Sequence, residues 1–333
     1  MGCKRFREPN PVVRSRVHRI PCEQHVPQRI STECGPSPDT VRRPVSLCGG
    51  KPHCLLANNR ASGQALGMTE AVLSARDGAI LTVTLNLPEK RNPISDPALI
   101  EALEVILNDA DQDIGVRAVI LTGAGSAFSS GGDLKAMKAG IGLRAALPAQ
   151  TRRNYRAGIQ RLPLLFQALE VPVIAAVNGP AIGAGLDLAC MCDIRIATKN
   201  AVFAESFVKV GIVPGDGGAW LLPRIIGFSK ATELALTGET FGADEALAIG
   251  LVSRVVEQGG LLAAAREVAD KIAANPPHAV RMTKRLLREG QTATLANILE
   301  MSAAMQSLAH ATRDNDEAID AFLEKRTPRF TGE

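Results

Sequence analysis

Two glycine-rich turns contain the residues whose types and spacing could do chemistry. One is FSSGGDLKAM (128–137), and the other lies within VNGPAIGAGLDLACMCD (177–193); each follows an apolar, strand-like run. Glycine has no Cβ, so a bound group can approach the backbone closely at such turns. If the two strands are neighbours, N–H groups of both turns could face one carbonyl oxygen and stabilise negative charge on it. The alternative is that each turn is only a tight loop.

A nucleotide phosphate fits the second turn poorly. A dinucleotide-binding fingerprint requires G-x-G-x-x-G between a strand and a helix. Gly183 and Gly185 supply the first two glycines, but Leu188 occupies the third position. The Gly-Lys-Ser/Thr sequence of a phosphate-binding P-loop is absent from the sequence. The turn therefore indicates a carbonyl ligand or close packing rather than a phosphate.

Charge is unevenly distributed along the 333 residues. Residues 1–60 contain eleven Lys or Arg and four acidic residues, although the net charge of the whole chain is only +4. The remainder is therefore slightly acidic, which argues against a nucleic-acid-binding surface. No apolar run reaches the ~20 residues of a membrane-spanning helix. We expect a globular protein that binds neither nucleic acid nor membrane.

The N-terminal segment differs from the rest in composition. Residues 1–60 hold five of the seven cysteines without C-x-x-C spacing, and they are rich in proline but lack an apolar signal-peptide core. The segment is either an Arg-rich organelle-targeting sequence or non-native translation upstream of a true start at Met68. The second interpretation is favoured, because proline disrupts the amphipathic helix of a transit peptide. We predict that residues 1–67 are disordered or non-native and that the protein is cytoplasmic; a transit peptide would place it in the mitochondrial matrix.

Strand and helix patterns alternate from about Thr69 onward. A helix is predicted over 97–110, with Ser95 or Asp96 as its N-cap, and a polar connection over 138–155 leads to a second helix. Helices dominate the last third of the chain. This order predicts an α/β fold with parallel strands and a helical C-terminal region. The predicted strands cover 79–87, 116–125, 171–177, 193–198 and 201–205.

The chain from about Met68 to Glu333 resembles the crotonase superfamily, the enoyl-CoA hydratase/isomerase family. The resemblance implies an α/β spiral of ββα units over 68–265 and a C-terminal helical region over 266–333 that builds homotrimers, often paired into dimers of trimers. The implied substrates are acyl-CoA thioesters, with coenzyme A as part of the substrate and no separate cofactor or metal. The matching blocks are LNLPEKRNPIS, FSSGGDLKAM, VNGPAIGAGLDLACMCDIRIAT, FAESFVKVGIVPGDGGAWLLPRIIG, TGETFGADEALAIGLVSRVV and AFLEKRTPRFTG.

The same resemblance implies roles for individual residues. Gly132 and Ala184 would supply the two N–H groups of an oxyanion hole, and Ala184 lies at a helix start whose dipole adds to the effect. Asp187 would be the first of two acids that hydratases of this family use. Lys325 would lie near the CoA bound to a neighbouring subunit, although it and Arg91 are equally consistent with solvated surface charges. The positions implied to contact CoA or substrate are Arg91, Pro93, Ser130, Gly131, Asp133, Leu134, Pro180, Gly183, Phe207 and Lys325.

The second acid of the family pattern is missing. Its position holds Phe207, which cannot transfer a proton, whereas hydration requires a proton at one end of the alkene and hydroxide at the other. Asp216 is the candidate for the missing carboxylate, although it is equally suited to cap a helix starting near Gly217. Glu205 ranks below Asp216, since it faces the same way as Phe207 only if the strand continues.

Three functions remain open from the sequence. The leading hypothesis is an enoyl-CoA hydratase in which Asp187 and Asp216 handle the proton and the water. A Δ3,Δ2-enoyl-CoA isomerase would need only Asp187 as its base. A homologue that binds acyl-CoA without rapid turnover is the third. Cys190, Cys192 and Trp220 are predicted to be buried core residues rather than reactive ones.

Overall fold

An antiparallel hairpin begins the part of the chain that the structure describes, residues 70–333 of a computed structural model. Its strands are β1 (Val72–Asp77) and β2 (Ile80–Leu85), which pair along their whole length, and Gly78 makes the turn with φ +60°. The alternating apolar residues of the sequence predict β2. The apolar pattern does not predict β1. Val72 is the only buried residue of this strand, so buried and exposed positions do not alternate along it.

Predictions for the N-terminal segment lie outside the described residues. They comprise the disordered or non-native state of residues 1–67 and the true start at Met68. The cytoplasmic location that follows from them stays a prediction. The family-like region, in contrast, lies almost entirely within the described part of the chain.

The centre of the fold is a six-stranded sheet with a smaller three-stranded sheet beside it. After the hairpin, the strands within residues 70–333 are β3 (Ala118–Gly123), β4 (Val173–Val177), β5 (Ala181–Ile182), β6 (Ile194–Thr198), β7 (Val202–Ala204), β8 (Thr240–Gly242) and β9 (Arg254–Val256). The large sheet has the order β1-β2-β3-β4-β6-β9, and all its pairs except β1–β2 are parallel. The small sheet has the order β5-β7-β8. Because β3 and β4 are parallel neighbours, the glycine-rich turns that follow them lie at the same edge of the large sheet.

Helices pack on the sheets and continue to the C-terminus. Asp96, one of the two predicted N-caps, caps the first helix. Its carboxylate accepts the Ala98 N–H at 3.0 Å. The connection predicted over 138–155 is only partly a loop, because a helix begins at Pro148. The helices are α1 (Pro97–Gln112), α2 (Leu134–Lys138), α3 (Pro148–Ala157), α4 (Arg161–Ala168), α5 (Ala184–Met191), α6 (Gly218–Ile226), α7 (Phe228–Thr237), α8 (Ala243–Ala248), α9 (Leu261–Ala273), α10 (Pro277–Glu289), α11 (Leu295–His310) and α12 (Arg313–Glu324).

Two apolar cores lie on opposite faces of the large sheet. Along β3, Val119 and Leu121 enter the core formed with α1, α4 and α5, whereas Ile120 enters the core formed with α9. This alternation follows from the two-residue period of a strand. The domain boundary predicted at 265/266 falls inside α9, which buries Leu261 and Ala269 against the sheet. α9 is therefore part of the sheet core rather than of a separate helical region.

The last two helices leave much apolar surface uncovered. α11 has no buried residue in this single chain, and α12 buries only Asp314 and Ala321. Among residues 70–333, no helix is both long and apolar enough to cross a bilayer. The large exposed apolar side chains of α11 and α12 are Leu295, Leu299, Leu308, Ile319, Phe322 and Leu323.

Candidate active site

Short parallel bridges hold the two glycine-rich turns side by side. Ser129 pairs with Ala181, and the Ile182 N–H donates to the Ser129 carbonyl oxygen at 3.0 Å. A Cβ on Gly131 would collide with the Ile182 carbonyl oxygen, and a Cβ on Gly185 would collide with the Ser129 carbonyl oxygen. Glycine is therefore required in both turns for the two backbones to pack against each other.

The two predicted N–H donors, Gly132 and Ala184, border a common cavity. Neither N–H donates to a protein acceptor within residues 70–333. Ala184 opens α5, and the first N–H groups of a helix have no intrahelical acceptor and carry the positive end of its dipole. Both residues line one cavity of about 90 Å³. The two predicted donors thus lie in the wall of the same cavity.

The remaining wall of the cavity is mostly apolar. Phe207 is part of it, and its ring lies against Gly183, where a Cβ would be 3.7 Å from the ring Cζ. Asp216 is the acidic side chain that lines the cavity in the described part of the chain. The other lining residues are Ser130, Leu134, Met137, Leu143, Tyr155, Ile159, Ile182, Ser206, Val210 and Ile212.

Three buried carboxyl groups lie close together, and one of them, Asp216, lines the cavity. Asp187 is 0%, Glu205 1% and Asp216 2% exposed. The Gly218 N–H donates to Asp187 Oδ2 at 3.1 Å. Asp187 Oδ1 and both carboxyl oxygens of Glu205 and Asp216 have no hydrogen-bond partner among residues 70–333. A Cβ on Gly218 would collide with Asp187 Oδ1 and lie 2.5 Å from Glu205 Oε1, so glycine leaves the space in which the carboxyl groups gather.

Burial gives these three groups raised pKa values. Burial, followed by the charges of Asp216 and Glu205, raises the pKa of Asp187 well above its usual range. Burial and the charge of Asp216 raise the pKa of Glu205 to about 8. Burial also raises the pKa of Asp216. Neighbouring carboxyl groups in an apolar site cannot all be ionised, so the cluster retains protons at neutral pH.

A tyrosine on α3 lies beside the cluster. The Tyr155 ring packs on Gly215, where a Cβ would be 2.8 Å from Tyr155 Cε1. Burial and, to a smaller extent, the charge of Asp216 raise the pKa of the Tyr155 phenol. Tyr155 therefore stays neutral at physiological pH and forms the wall of the cavity next to Asp216.

Asn92 anchors the first turn from below. It is fully buried, and its Nδ2 donates to the carbonyl oxygens of Ala124 and Ala127, each at 3.0 Å, while its Oδ1 accepts the Leu87 N–H at 2.9 Å. Its backbone carbonyl accepts the Ser129 hydroxyl at 2.7 Å. The residue has φ +54°, a left-handed conformation in which Asn is among the better-tolerated residues. Asn92 thus joins the loop after β2 to the turn after β3.

The residues predicted to bind CoA have different environments. Pro93 is buried and bridges to Gly131, and Arg91 is exposed, with its carbonyl oxygen accepting the Ser130 N–H at 2.8 Å. Asp133 caps α2 by accepting the Lys135 and Ala136 N–H groups at 3.0 Å.

Pro180 and Lys325 are two further residues that were predicted to contact CoA or substrate. The Pro180 carbonyl accepts the Phe128 and Ser129 N–H groups at 3.1 Å, which fixes the turn. Lys325 lies exposed at the end of α12 and is not part of the cavity wall.

Some sequence expectations around the site need correction. Asp216 does not cap α6, because Gly217 occupies the N-cap position and no side chain bonds to the helix N–H groups there. Trp220 was expected in the core but is 37% exposed, with the Arg224 guanidinium 3.9 Å from its ring centre. Cys190 and Cys192 are buried, as predicted, and burial raises the pKa of both thiols.

Several residues of the site are not identified by the sequence patterns. The sequence ranks Glu205 too low as a site residue, because its side-chain direction depends on where the strand ends. β7 ends at Ala204, and a 3₁₀ turn begins at Phe207. Asn92 and Gly218 give no signal beyond lying in polar or glycine-containing loops. Within the described residues, no group of three or more His, Cys, Asp or Glu side chains is arranged to hold a metal ion.

Comparison with known proteins identifies the family. A model of the enoyl-CoA hydratase/isomerase family matches residues 75–333. A short-chain-enoyl-CoA hydratase from Clostridium acetobutylicum is 37% identical over 258 residues, which cover 77% of this chain and 95% of the relative. A 1,2-epoxyphenylacetyl-CoA isomerase from Escherichia coli is 36% identical over 266 residues, which cover 80% of this chain and 100% of that protein. The chain belongs to the enoyl-CoA hydratase/isomerase family of enzymes.

A solved structure supports the same assignment. The crystal structure of an enoyl-CoA hydratase from Bacillus anthracis has a TM-score of 0.74 and 37% sequence identity, and the match covers 79% of this chain and 100% of that one. The predicted family and the crotonase-like α/β fold with helices at its C-terminus are therefore confirmed.

Replacing Asn92 by alanine is expected to destabilise the protein by about 3 kcal/mol, because several buried backbone groups lose their partner together. Urea unfolding followed by circular dichroism measures the change. Asn108→Ala, at an exposed position on α1, is the matched control and should change the free energy of unfolding little. Equal stabilities of the two variants would contradict the anchoring role.

Stability should fall as pH rises from 5 to 8. In the unfolded chain Glu205 ionises near its usual 4.5, whereas in the folded protein its pKa is about 8. Between these values the folded state keeps a proton that the unfolded state has released, so the free energy of unfolding decreases by about 1.4 kcal/mol per pH unit for one such group. Urea unfolding at several pH values measures the slope, which should be shallower in Glu205→Gln. An equal slope in the two proteins would show that Glu205 does not titrate in this range.

Proposed function

We propose that the protein is an enoyl-CoA hydratase, which adds water across the double bond of a 2-enoyl-CoA thioester. One observation supports this most: Gly132 and Ala184, whose N–H groups have no protein acceptor among residues 70–333, line the same cavity as Asp216. Two N–H groups suit a thioester oxygen that becomes negative, and a carboxyl group nearby can move protons. The relatives' names and the shared fold agree with this reaction.

The two N–H groups would polarise the thioester carbonyl. Accepting hydrogen bonds from Gly132 and Ala184, the carbonyl oxygen draws electrons from the conjugated double bond, and the β-carbon becomes electrophilic. The charge then grows on the oxygen as the enolate forms. A single donor of this kind typically contributes about 10²- to 10³-fold in rate. The apolar walls of the cavity strengthen the effect, since water is excluded.

Asp216 would transfer the proton. Its carboxylate takes a proton from water while the water oxygen bonds to the β-carbon, and the same carboxyl group then returns the proton to the α-carbon of the enolate. This addition of water balances in atoms and charge, and Asp216 is the only acid that has to contact the substrate. Asp187 does not line the cavity; it is held by the Gly218 N–H and acts electrostatically on Asp216. Phe207 contributes an apolar wall instead of an acid.

A Δ3,Δ2-enoyl-CoA isomerase is the second candidate. The observation that favours it is that Asp216 is the acidic side chain lining the cavity among residues 70–333. Moving a proton between two carbons of a thioester requires one base and the same oxyanion hole. Incubation with a 2-enoyl-CoA and with a 3-enoyl-CoA separates the two reactions: a hydratase consumes the first, and an isomerase consumes the second.

Replacing Asp216 by asparagine should lower kcat about 10²- to 10⁴-fold and change KM little, because the carboxamide has nearly the same shape but cannot take up a proton. Loss of 2-enoyl-CoA absorbance measures the rate. The control is Asp109→Asn, at an exposed position of α1, which should keep the rate of the parent protein. An Asp216→Asn variant as fast as the control would exclude Asp216 as the base, and turnover by neither protein on either substrate would leave only acyl-CoA binding.

We further propose that the chain forms homotrimers, alone or paired, through its C-terminal helices. The support is the apolar surface of α11 and α12, where Phe322 is 82% and Leu295 74% exposed. Lys325, which follows Phe322 closely, would then reach a CoA bound to a neighbouring subunit. Light scattering should give three or six times the mass of one chain, and Phe322→Asp should lower that mass. A monomer in the parent protein would contradict this proposal.

A further inference from the structure

Glu205 is a buried acid to which the proposed reaction gives no role. It is 1% exposed, and neither of its carboxyl oxygens has a hydrogen-bond partner among residues 70–333. It does not line the cavity, so it does not touch the substrate. An ionised carboxylate without partners in such a site is strongly disfavoured, and the neutral acid is the form that burial favours.

The end of β7 directs Glu205 towards the other acids. β7 pairs with β8 through Ala204, and the backbone then leaves the strand and enters the 3₁₀ turn at Phe207. Strict alternation is broken, so Phe207 enters the cavity wall while Glu205 packs beside Gly218. The acid side chain is thus placed by the backbone path and not by a charged partner.

Glu205 and Asp187 are close enough to influence each other's charge. Glu205 Oε1 and Asp187 Oδ1 would lie 2.5 Å and 2.2 Å from a Cβ on Gly218, so the two atoms are within about 5 Å of each other. Asp216 interacts electrostatically with both. Two like charges at this separation in an apolar environment raise each other's cost of ionisation.

The groups around the cluster do not neutralise it. Two other titratable side chains interact electrostatically with the cluster: Cys190 on α5 with Asp187 and Glu205, and Tyr155 on α3 with Asp216. Both are neutral at physiological pH, because burial raises their pKa values. The nearby guanidinium of Arg195 donates to the carbonyl oxygens of Leu251 and Cys192. Among residues 70–333, no Lys, Arg or His forms an ion pair with the three acids.

We propose that Glu205 is a positioning residue that holds the cluster of Asp187, Glu205 and Asp216 at a single negative charge in the active enzyme. In this state Asp216 carries the charge, and Asp187 and Glu205 remain protonated. A second ionisation in the cluster would place two negative charges beside an enolate that is itself negative. It would also remove a neutral neighbour of Asp216, and Asp216 can be a carboxylate only while its neighbours are neutral. This inference rests on the proposed acyl-CoA chemistry of the site.

The rate should therefore fall as Glu205 loses its proton. The pKa of Glu205 is about 8, so the activity of the parent protein should decrease above that pH. A glutamine at this position has nearly the same shape as the protonated acid but cannot ionise. Its rate profile should extend to higher pH.

The first test is the pH dependence of kcat for the parent protein, Glu205→Gln and the surface control Glu239→Gln. The parent protein and the control should lose activity with a midpoint near pH 8, and in Glu205→Gln this midpoint should move up by about one pH unit or more. The position of the midpoint is independent of a uniform loss of rate. A midpoint that is unchanged in Glu205→Gln would overturn the proposal. Glu205→Met, which is also unable to ionise, replaces it if the glutamine variant does not fold.

The second test needs no enzymatic activity. Carbon-13 NMR of the protein labelled at the glutamate carboxyl carbons should show one resonance that titrates near pH 8 in the parent protein and is missing from Glu205→Gln. A Glu205 resonance that titrates near pH 4.5 would overturn the inference even if the enzyme is active. Absence of turnover on every enoyl-CoA would instead reject the proposed function, while the NMR titration would still decide the charge state of Glu205.

Discussion

The site depends on backbone-to-backbone contact between two glycine-rich turns. Gly131 packs against the Ile182 carbonyl and Gly185 against the Ser129 carbonyl, at distances that no side chain could share. Because β3 and β4 are parallel neighbours, the contact occurs at one edge of the sheet, and Gly132 and Ala184 lie in the wall of the same cavity. Asn92 keeps the first turn in place. The placement of these two residues is thus determined by the chain path more than by side-chain chemistry.

The second constraint is the exclusion of water from the acids. Asp187, Glu205 and Asp216 have almost no exposed surface, and Gly218 supplies one N–H for the group. Burial therefore decides their protonation more than any single contact does. A cluster that keeps protons at neutral pH is costly for stability, because the unfolded chain would release those protons more readily.

The sequence predicts the periodic parts of this fold well and its irregular parts poorly. β2, β3, β4, β6 and β7 follow from apolar patterns, and Asp96 follows from capping rules, because these features depend on neighbouring residues alone. β1 is missed because it buries only Val72, and Trp220 is misplaced because its exposure depends on where α6 packs. The glycine turns and Asp216 could be proposed from the sequence. Glu205 could be considered but ranks below Asp216, and Asn92 could not be identified, since the environments of both residues are formed by segments far apart in the chain.

The replacement at Phe207 shows what the reaction requires of the fold. A proton must move between water and carbon, and any carboxyl group within reach of both can move it. Position 207 lies in a 3₁₀ turn against Gly183, whereas Asp216 enters the same cavity from the loop before α6. The N–H groups of Gly132 and Ala184 cannot be relocated in this way, because they belong to the two turns that pack backbone against backbone. An acid can therefore reach this cavity from a different loop, whereas the two glycine-rich turns fix where the N–H groups lie.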